Sequence, residues 1–505
     1  MSSTLAFPRT AVQLDGRALA EEDTGTLEAV RVQQWLSLPT QCELAFFNPE
    51  GPLADAAPTV VGSSLRVEVL GHADPLFVGE VTAVEYTHEP SAGLQVRIRG
   101  YDVLHRLRKR QPVRAHVQVT LEDLARELVS DLGLSVEAVE PGPVWHRLIQ
   151  HRQSDLGLVR EVAERCGLFL ALRGNVLHVI TLEGIGGPLP LKLGESLLEA
   201  RIEVNGDSVC RSVLASGWDP WHIERHEGRA SASRVGRAVK AEVLPSRVGG
   251  TGERILTNET AQDDPQADAL AQAELDLRVA REVTLWGVAE GDPCLLPGAR
   301  VDVEGLAGPL AGQYVLTSVV HTIDRRRGFV SEISSVPPKP GERSKALSAA
   351  PGIVTRVDDP DHRGRVRVSL PTLGNMETEW MGVLATAAGR KGLVALPDVG
   401  DHVLVLFNAE DPAQGLVVGG LYGANVPSDW GIEGGSVQRY TFLTPGGQKL
   451  GLDDSRKLLR LENSNGSYLE LGPEKVMLHS QADLEIEAPG RSVVIRGTAV
   501  DFQKA

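Results

Sequence analysis

His222 and His226 stand four residues apart with Glu224 and Glu227 beside them, the spacing at which one helical face can present metal ligands. Pro220 and Gly228 bracket this strongly charged stretch, which predicts an exposed loop, so no metal site is expected there. Neither GxSxG nor HExxH occurs, nor a GxxxxGK followed by Ser or Thr, so nucleophilic and phosphate-binding chemistry have no local signature. Arg106, Arg108, Lys109 and Arg110 form a basic run that reads either as a solvated face or as a contact for an acidic neighbour. No interleaved aromatics offer the stacking that a nucleic acid would use. Cys42, Cys166, Cys210 and Cys294 are far apart and read as reduced thiols, not as a disulfide framework or a zinc site. No catalytic, cofactor-binding or metal-binding residue is assigned, no cofactor is expected, and the chain is read as a non-enzyme.

The elements around these residues belong to a large, strand-rich chain. Its 505 residues suffice for about three or four domains. The hydrophobic fraction is 42% but aromatics contribute only 4%, a balance that suits strands and tight turns better than one helical core. A formal net charge of −16 opposes phosphate binding, so nucleic acid is not expected as a partner. The first residues lack a basic segment followed by an apolar run, and no stretch reaches the length of a membrane span. Synthesis and assembly in the cytoplasm are therefore expected, with any export occurring as part of something larger.

Strands dominate residues 1 to about 110, where SLRVEVLG, FVGEVTAVEYTH and LQVRIRGYD alternate apolar and polar positions. Leu121, Leu124, Leu128 and Leu132 then recur at helical spacing between Thr120 as N-cap and Gly133 as stop. A second helix is predicted after Ser154, with Gly167 ending it, and a third with Asp264 as its cap and Pro265 at its first position. Residues 1–340 thus read as two mixed β-barrel-like units with inserted helices; proline, glycine and charge cluster from Val336 to Gly352, and residues 341–351 read as the linker. Residues 352–428 carry five or six short strands (GIVTRV, GRVRVSLP, WMGVLAT, KGLVALP, DHVLVLF and GLVVGGLYG), as expected of a small closed barrel of the OB type.

Residues 436–505 repeat short alternating pairs. Leu450 and Leu452 are followed by Leu459 and Leu461, Leu469 and Leu471, Val476 and Leu478, Leu484 and Ile486, and Val493 and Ile495. Repetition without a strict repeat suggests a β-solenoid or an intertwined β-helix. Burying one aliphatic side chain is worth roughly 1.5–3 kcal/mol, while ordering costs roughly 1.5 kcal/mol per residue. With about two inward residues in every eight, a lone chain would leave its inner face wet. Three copies round one axis would bury it and pair the strand edges. The predicted trimer core is Leu459, Leu461, Leu469, Leu471, Val476, Leu478, Leu484, Ile486, Val493 and Ile495. A single-chain solenoid is the alternative.

The stretches GIVTRVDDPDHRGRVRVSLPTLG, WMGVLAT and GLVALPDVGDHVLVLFNAEDPAQGLVVGGLYG resemble the gp5-like OB domain of the VgrG family of spike proteins. Their turns, Asp358-Asp359-Pro360-Asp361, Pro397-Asp398-Val399-Gly400-Asp401 and Asp411-Pro412, suit short hairpins. Upstream, GEVTAVEY, VRIRGYDVLHRLRK, SDLGLVREVAERCGLFLALRGNVLHV, SGWDP and GDPCLLPGARVDVEGLAGPLAGQYVLTSVVHT resemble the gp27-like hub of the same family. The resemblance implies a mainly β homotrimer: tandem hub barrels, an OB-fold barrel and a C-terminal intertwined triple-stranded β-helix. It also implies a structural role in the baseplate of a contractile injection system, between an inner tube and a membrane-puncturing needle.

Inner tube proteins, other baseplate proteins, a PAAR-like tip protein and cargo effectors are the implied partners. The chain stops at DFQKA without a fused hydrolase, toxin or adhesin, which favours an extracellular phage-tail-like particle over a type VI secretion VgrG or a phage tail spike. The HxH iron site of some phage spikes does not carry over, since this tail holds only His479. The rival readings are a cell-wall hydrolase and an OB-type protein that binds carbohydrate or nucleic acid.

Overall fold

The computed structural model describes residues 9–55, 60–90, 93–219, 224–259, 261–341, 347–386, 392–408, 411–423 and 426–503. The chain divides into two compact units, Met1–Gly420 and Leu421–Ala505.

Alternation of apolar residues with short polar ones commits the first unit to strands, most of them in one eleven-stranded sheet. That sheet runs from Leu197–Val204 at one edge through Val283–Glu290, Gly328–Ser334 and Ser318–Asp324. It continues through Leu27–Trp35, Gln41–Phe47, Gly93–Tyr101, Phe77–Glu89, Ser64–Val69 and Thr10–Leu14 to Arg17–Ala18. The two strand-rich stretches expected as separate units are therefore joined. Ser318–Asp324 pairs with Gly328–Ser334 on one side and with Leu27–Trp35 on the other, opposing Val320 to Gln33. Two hydrophobic cores persist along it: one around Val32, Leu44, Phe46, Val67 and Ile98, the other around Leu285, Val301, Tyr314 and Ile333.

Between these stretches lies a helical module with its own core, built on Leu121, Leu124, Val159, Val162 and Leu168. Its first helix, Leu121–Val129, opens on a capping box. The Thr120 hydroxyl accepts from the Asp123 amide at 3.1 Å, and Asp123 accepts from the Thr120 amide at 3.2 Å. It ends at Ser130, before the expected stop at Gly133, which instead turns with φ of 70°. Asp155–Cys166 is capped by Ser154 and ends on Gly167 in the left-handed region, as expected. The third helix, Asp264–Glu282, takes Asp263 as its cap, one residue earlier than expected, because the Asp263 carboxylate reaches the Gln266 amide at 2.8 Å.

Residues 348–420 form a six-stranded sheet in the order Met376–Glu377, Arg367–Leu370, Ser348–Arg356, His402–Phe407, Gly415–Gly420 and Gly382–Val383. Val366, Val368, Leu370, Met381, Val403 and Val405 fill its interior. Gly415 is required there, since a Cβ would stand 2.5 Å from the Met381 methyl and 3.0 Å from Val405. Ser348–Pro351, expected in the linker, already belong to the first strand; residues 342–346 of that linker lie outside the described residues. The strand expected in KGLVALP does not form over residues 392–397. Gly382–Val383 already occupies the edge of Gly415–Gly420, and Pro397 lacks the donor that a further strand would need.

Within the second unit, Arg439–Leu443, Lys449–Asp453, Leu458–Glu462, Tyr468–Leu471 and Val476–His479 make an antiparallel five-stranded meander. The alternating pairs Leu484/Ile486 and Val493/Ile495 form no strand, which corrects the expectation that the repeat would continue as strands; among the described residues the last strand edge pairs with no later segment. In one chain the tail is thus an open sheet and not a wound helix of strands.

Candidate functional site

The register of the meander sorts its side chains into two unlike faces. Phe442, Leu450, Leu461, Leu469 and Leu478 oppose one another across the five strands, as do Tyr440, Leu452, Leu459, Leu471 and Val476. Directly opposed residues in an antiparallel sheet share a face, so these two rows make one wholly apolar surface. Leu461 is 46% exposed, Leu478 57% and Val476 69%, although each belongs to a type that folding normally removes from water. A contiguous apolar surface of this kind is a candidate association site.

The other face also carries Leu443, Leu458 and Met477, but an ion-pair network runs through its centre. Arg460 lies between Glu462 at 3.1 Å and Glu470 at 3.0 Å, with its guanidinium 3.9 Å from the centre of the Tyr468 ring. Tyr468 in turn stacks on His479 at 4.9 Å. The chain enters the meander at Asp429, which accepts from Arg439, the Gly431 amide and Thr441. The Arg439 guanidinium, aided by the Gly431 amide, holds the Asp429 carboxyl down at about 2.

Six of the residues expected in a trimer core (Leu459, Leu461, Leu469, Leu471, Val476 and Leu478) are thus brought onto one surface. Leu484, Ile486, Val493 and Ile495 are exposed but outside any strand. Tyr440 and Phe442 complete the surface and were not foreseen; the alternation in RYTFL was the available signal.

The other candidate chemistry disperses. His226 lies in the strand Glu224–Ala230 and not in a loop, with Nδ1 3.0 Å from the Asp264 carboxylate; His222 lies outside the described residues. Among the described residues no group of three or more His, Cys, Asp or Glu is placed to hold a metal ion. Arg106 pairs with Glu80, Arg110 forks onto Asp131 at 2.9 and 2.6 Å, and Arg108 lies 4.3 Å from the centre of the Tyr101 ring, so the basic run is largely engaged within the chain. Cys42, Cys166 and Cys210 are buried free thiols, and Cys294 is an exposed one. A cavity of about 400 Å³ beside Trp35, Phe169, Leu277 and Pro338 has no His, Cys or Asp in its described lining. Among the described residues no helix is long and apolar enough to cross a membrane.

Residues 60–325 match the family model of the Alg8 N-terminal domain. The chain belongs to that family. Residues 350–422, the six-stranded barrel, match the type VI secretion system/phage-baseplate injector OB domain. The fold is shared with the E. coli c3393 protein, described as a component of the type VI secretion system similar to T4 bacteriophage tail proteins gp27 and gp5. That alignment has TM-score 0.56 and 12% identity, over 81% of this chain and 99% of the other. The lidded PdpA–VgrG complex of Francisella aligns with TM-score 0.55 and 10% identity, over 93% of this chain and 79% of that one. Residues 350–422 thus carry an injector-type OB domain, and the chain as a whole shares its fold with gp27/gp5-like and VgrG proteins.

Proposed function

We propose that three copies of this chain assemble as the central hub and spike of a contractile injection particle of the extracellular, phage-tail-like kind. The observation that carries the reading is the uncovered apolar face of residues 439–479. A single sheet has one such face and nothing opposite it, whereas three sheets round a common axis turn all three faces inward. Leu459, Leu461, Leu469, Leu471, Val476 and Leu478 would form the dry interior. Leu484, Ile486, Val493 and Ile495 would extend it once neighbouring chains offer strand edges, giving an intertwined triple-stranded β-helix. Residues 1–340 would act as the hub, 352–428 as the adaptor barrel and 436–505 as the needle.

The work is mechanical: force delivered through the hub concentrates on a narrow, stiff prism and breaches an envelope, so no catalytic residue is required. Inner tube and baseplate proteins would bind the hub, a PAAR-like protein would cap the needle, and cargo effectors would ride on the assembly. Assembly in the bacterial cytoplasm followed by release fits this reading. Light scattering on the purified chain tests it. Three times the chain mass, persisting in mild denaturant, is expected; a stable monomer overturns it.

A further inference from the structure

The helical module touches the small barrel at several points that neither the hub sheet nor the sequence pattern calls for. Arg147, on the strand Trp145–Gln150, has a side chain only 11% exposed. It donates to the Glu379 carboxylate at 2.5 Å and to the Glu377 carbonyl, residues more than two hundred positions away in the barrel. Both carboxylates are held from behind. Arg367 reaches Glu379 at 3.1 Å and Glu377 at 3.4 Å, and the Thr355 hydroxyl donates to Glu377 at 2.7 Å.

Asp411, in the turn before the last long barrel strand, lies within electrostatic reach of Arg165 and His151 of the helical module. Arg165 is itself buried and held 4.1 Å from the centre of the Trp145 ring. A second contact pins the connecting segment. The Gly341 amide donates to Glu164 at 3.0 Å, and Arg281 donates to the Pro338 carbonyl at 3.4 Å. Glu164 and Arg165 are neighbours on one helix, so the same element holds the connection and lies near the barrel.

We infer that the helical module is a clamp that fixes the small barrel to the hub of its own chain, so that thrust passes through packed side chains and not through the Pro-rich connection. Arg147 is a positioning residue in this scheme. Its guanidinium, nearly buried, would be left with unpaired donors if the barrel swung away, which opposes that motion. The inference concerns one chain and does not depend on how many copies assemble.

The test measures the distance between spin labels at Val117→Cys and Leu384→Cys, both exposed sites, in a Cys294→Ala background. Labelled chain is diluted into a large excess of unlabelled chain so that only distances within one chain contribute. The parent is expected to give one narrow distribution. Arg147→Glu is expected to widen it roughly twofold, and Arg147→Glu with Glu379→Arg to restore it, since exchanging partners rebuilds the pair. Should Arg147→Glu lose its circular dichroism, Arg147→Met carries the same comparison. A broad parent distribution overturns the clamp, as does an unchanged width in a folded Arg147 variant.

Discussion

The small barrel and the C-terminal sheet are written in the same alternation of aliphatic and polar residues, yet they end in opposite states. In the barrel the inward positions Val366, Val368, Leu370, Met381 and Val405 are all fully buried. In the tail the corresponding positions Leu461, Leu471 and Leu478 are each more than two fifths exposed. Propensity does not separate them; closure does. The barrel sheet curves until its strands cover one interior, helped by Gly415 and by the turn at Asp359, whose carboxylate gathers the amides of Asp361, Arg363 and Arg365 and the Arg365 guanidinium. The tail runs strand to strand, each strand giving two aliphatic or aromatic residues to one face, and nothing within residues 439–479 bends it shut, so that face stays uncovered within the sheet.

The sharpest way to break this contrast is to place charge on the tail's apolar face. Leu461→Asp with Leu469→Asp is expected to abolish assembly, lowering the light-scattering mass threefold while circular dichroism of the rest of the chain persists. A mass unchanged by this double substitution would show that the face is not the interface. Next in size is a cavity in the barrel. Leu370→Ala should lower stability by about 2–5 kcal/mol in denaturant titration without altering the assembled mass.

Acid should separate the regions further. The Arg365 guanidinium, followed by the surrounding amides, holds the Asp359 carboxyl well below the usual carboxylate range. A folded-state pKa below the unfolded one stabilises at pH above the unfolded value, and the benefit is lost as pH falls through the folded one. The barrel's melting temperature is therefore expected to hold from neutrality to about pH 5 and to drop below about pH 4. In Asp359→Asn that acid-dependent drop should shrink, as followed by calorimetry on the intact chain. The smallest effect is expected on the tail's outer face. Arg460→Ala removes half-exposed pairs with Glu462 and Glu470 and should cost about 0–1 kcal/mol, with mass unchanged. If it instead dissociated the assembly, the assignment of inner and outer faces would be reversed.

Much of this was legible before any coordinates. Ser154 and Gly167 mark their helix ends because a cap is an interaction between residues three or four apart, and Gly400 and Asp401 mark a turn for the same reason. Near misses, such as Asp263 displacing Asp264 as a cap, arise where two adjacent carboxylates compete for one amide. The loop reading around His226 failed because its strand is paired with Ser212–Asp219, a partner that local charge does not reveal.

The sequence by itself determined the strand alternation, the helix caps, the turn chemistry and which residues in the tail are apolar, since each depends on neighbours a few positions away. Tertiary structure alone decided that Leu27–Trp35 lies beside Ser318–Asp324 and that Arg147 meets Glu379. It also decided that one alternating sheet closes while the other stays open. Those outcomes depend on register and on the packing of segments far apart in the chain, where many pairings satisfy the same local pattern and only the shared core selects one.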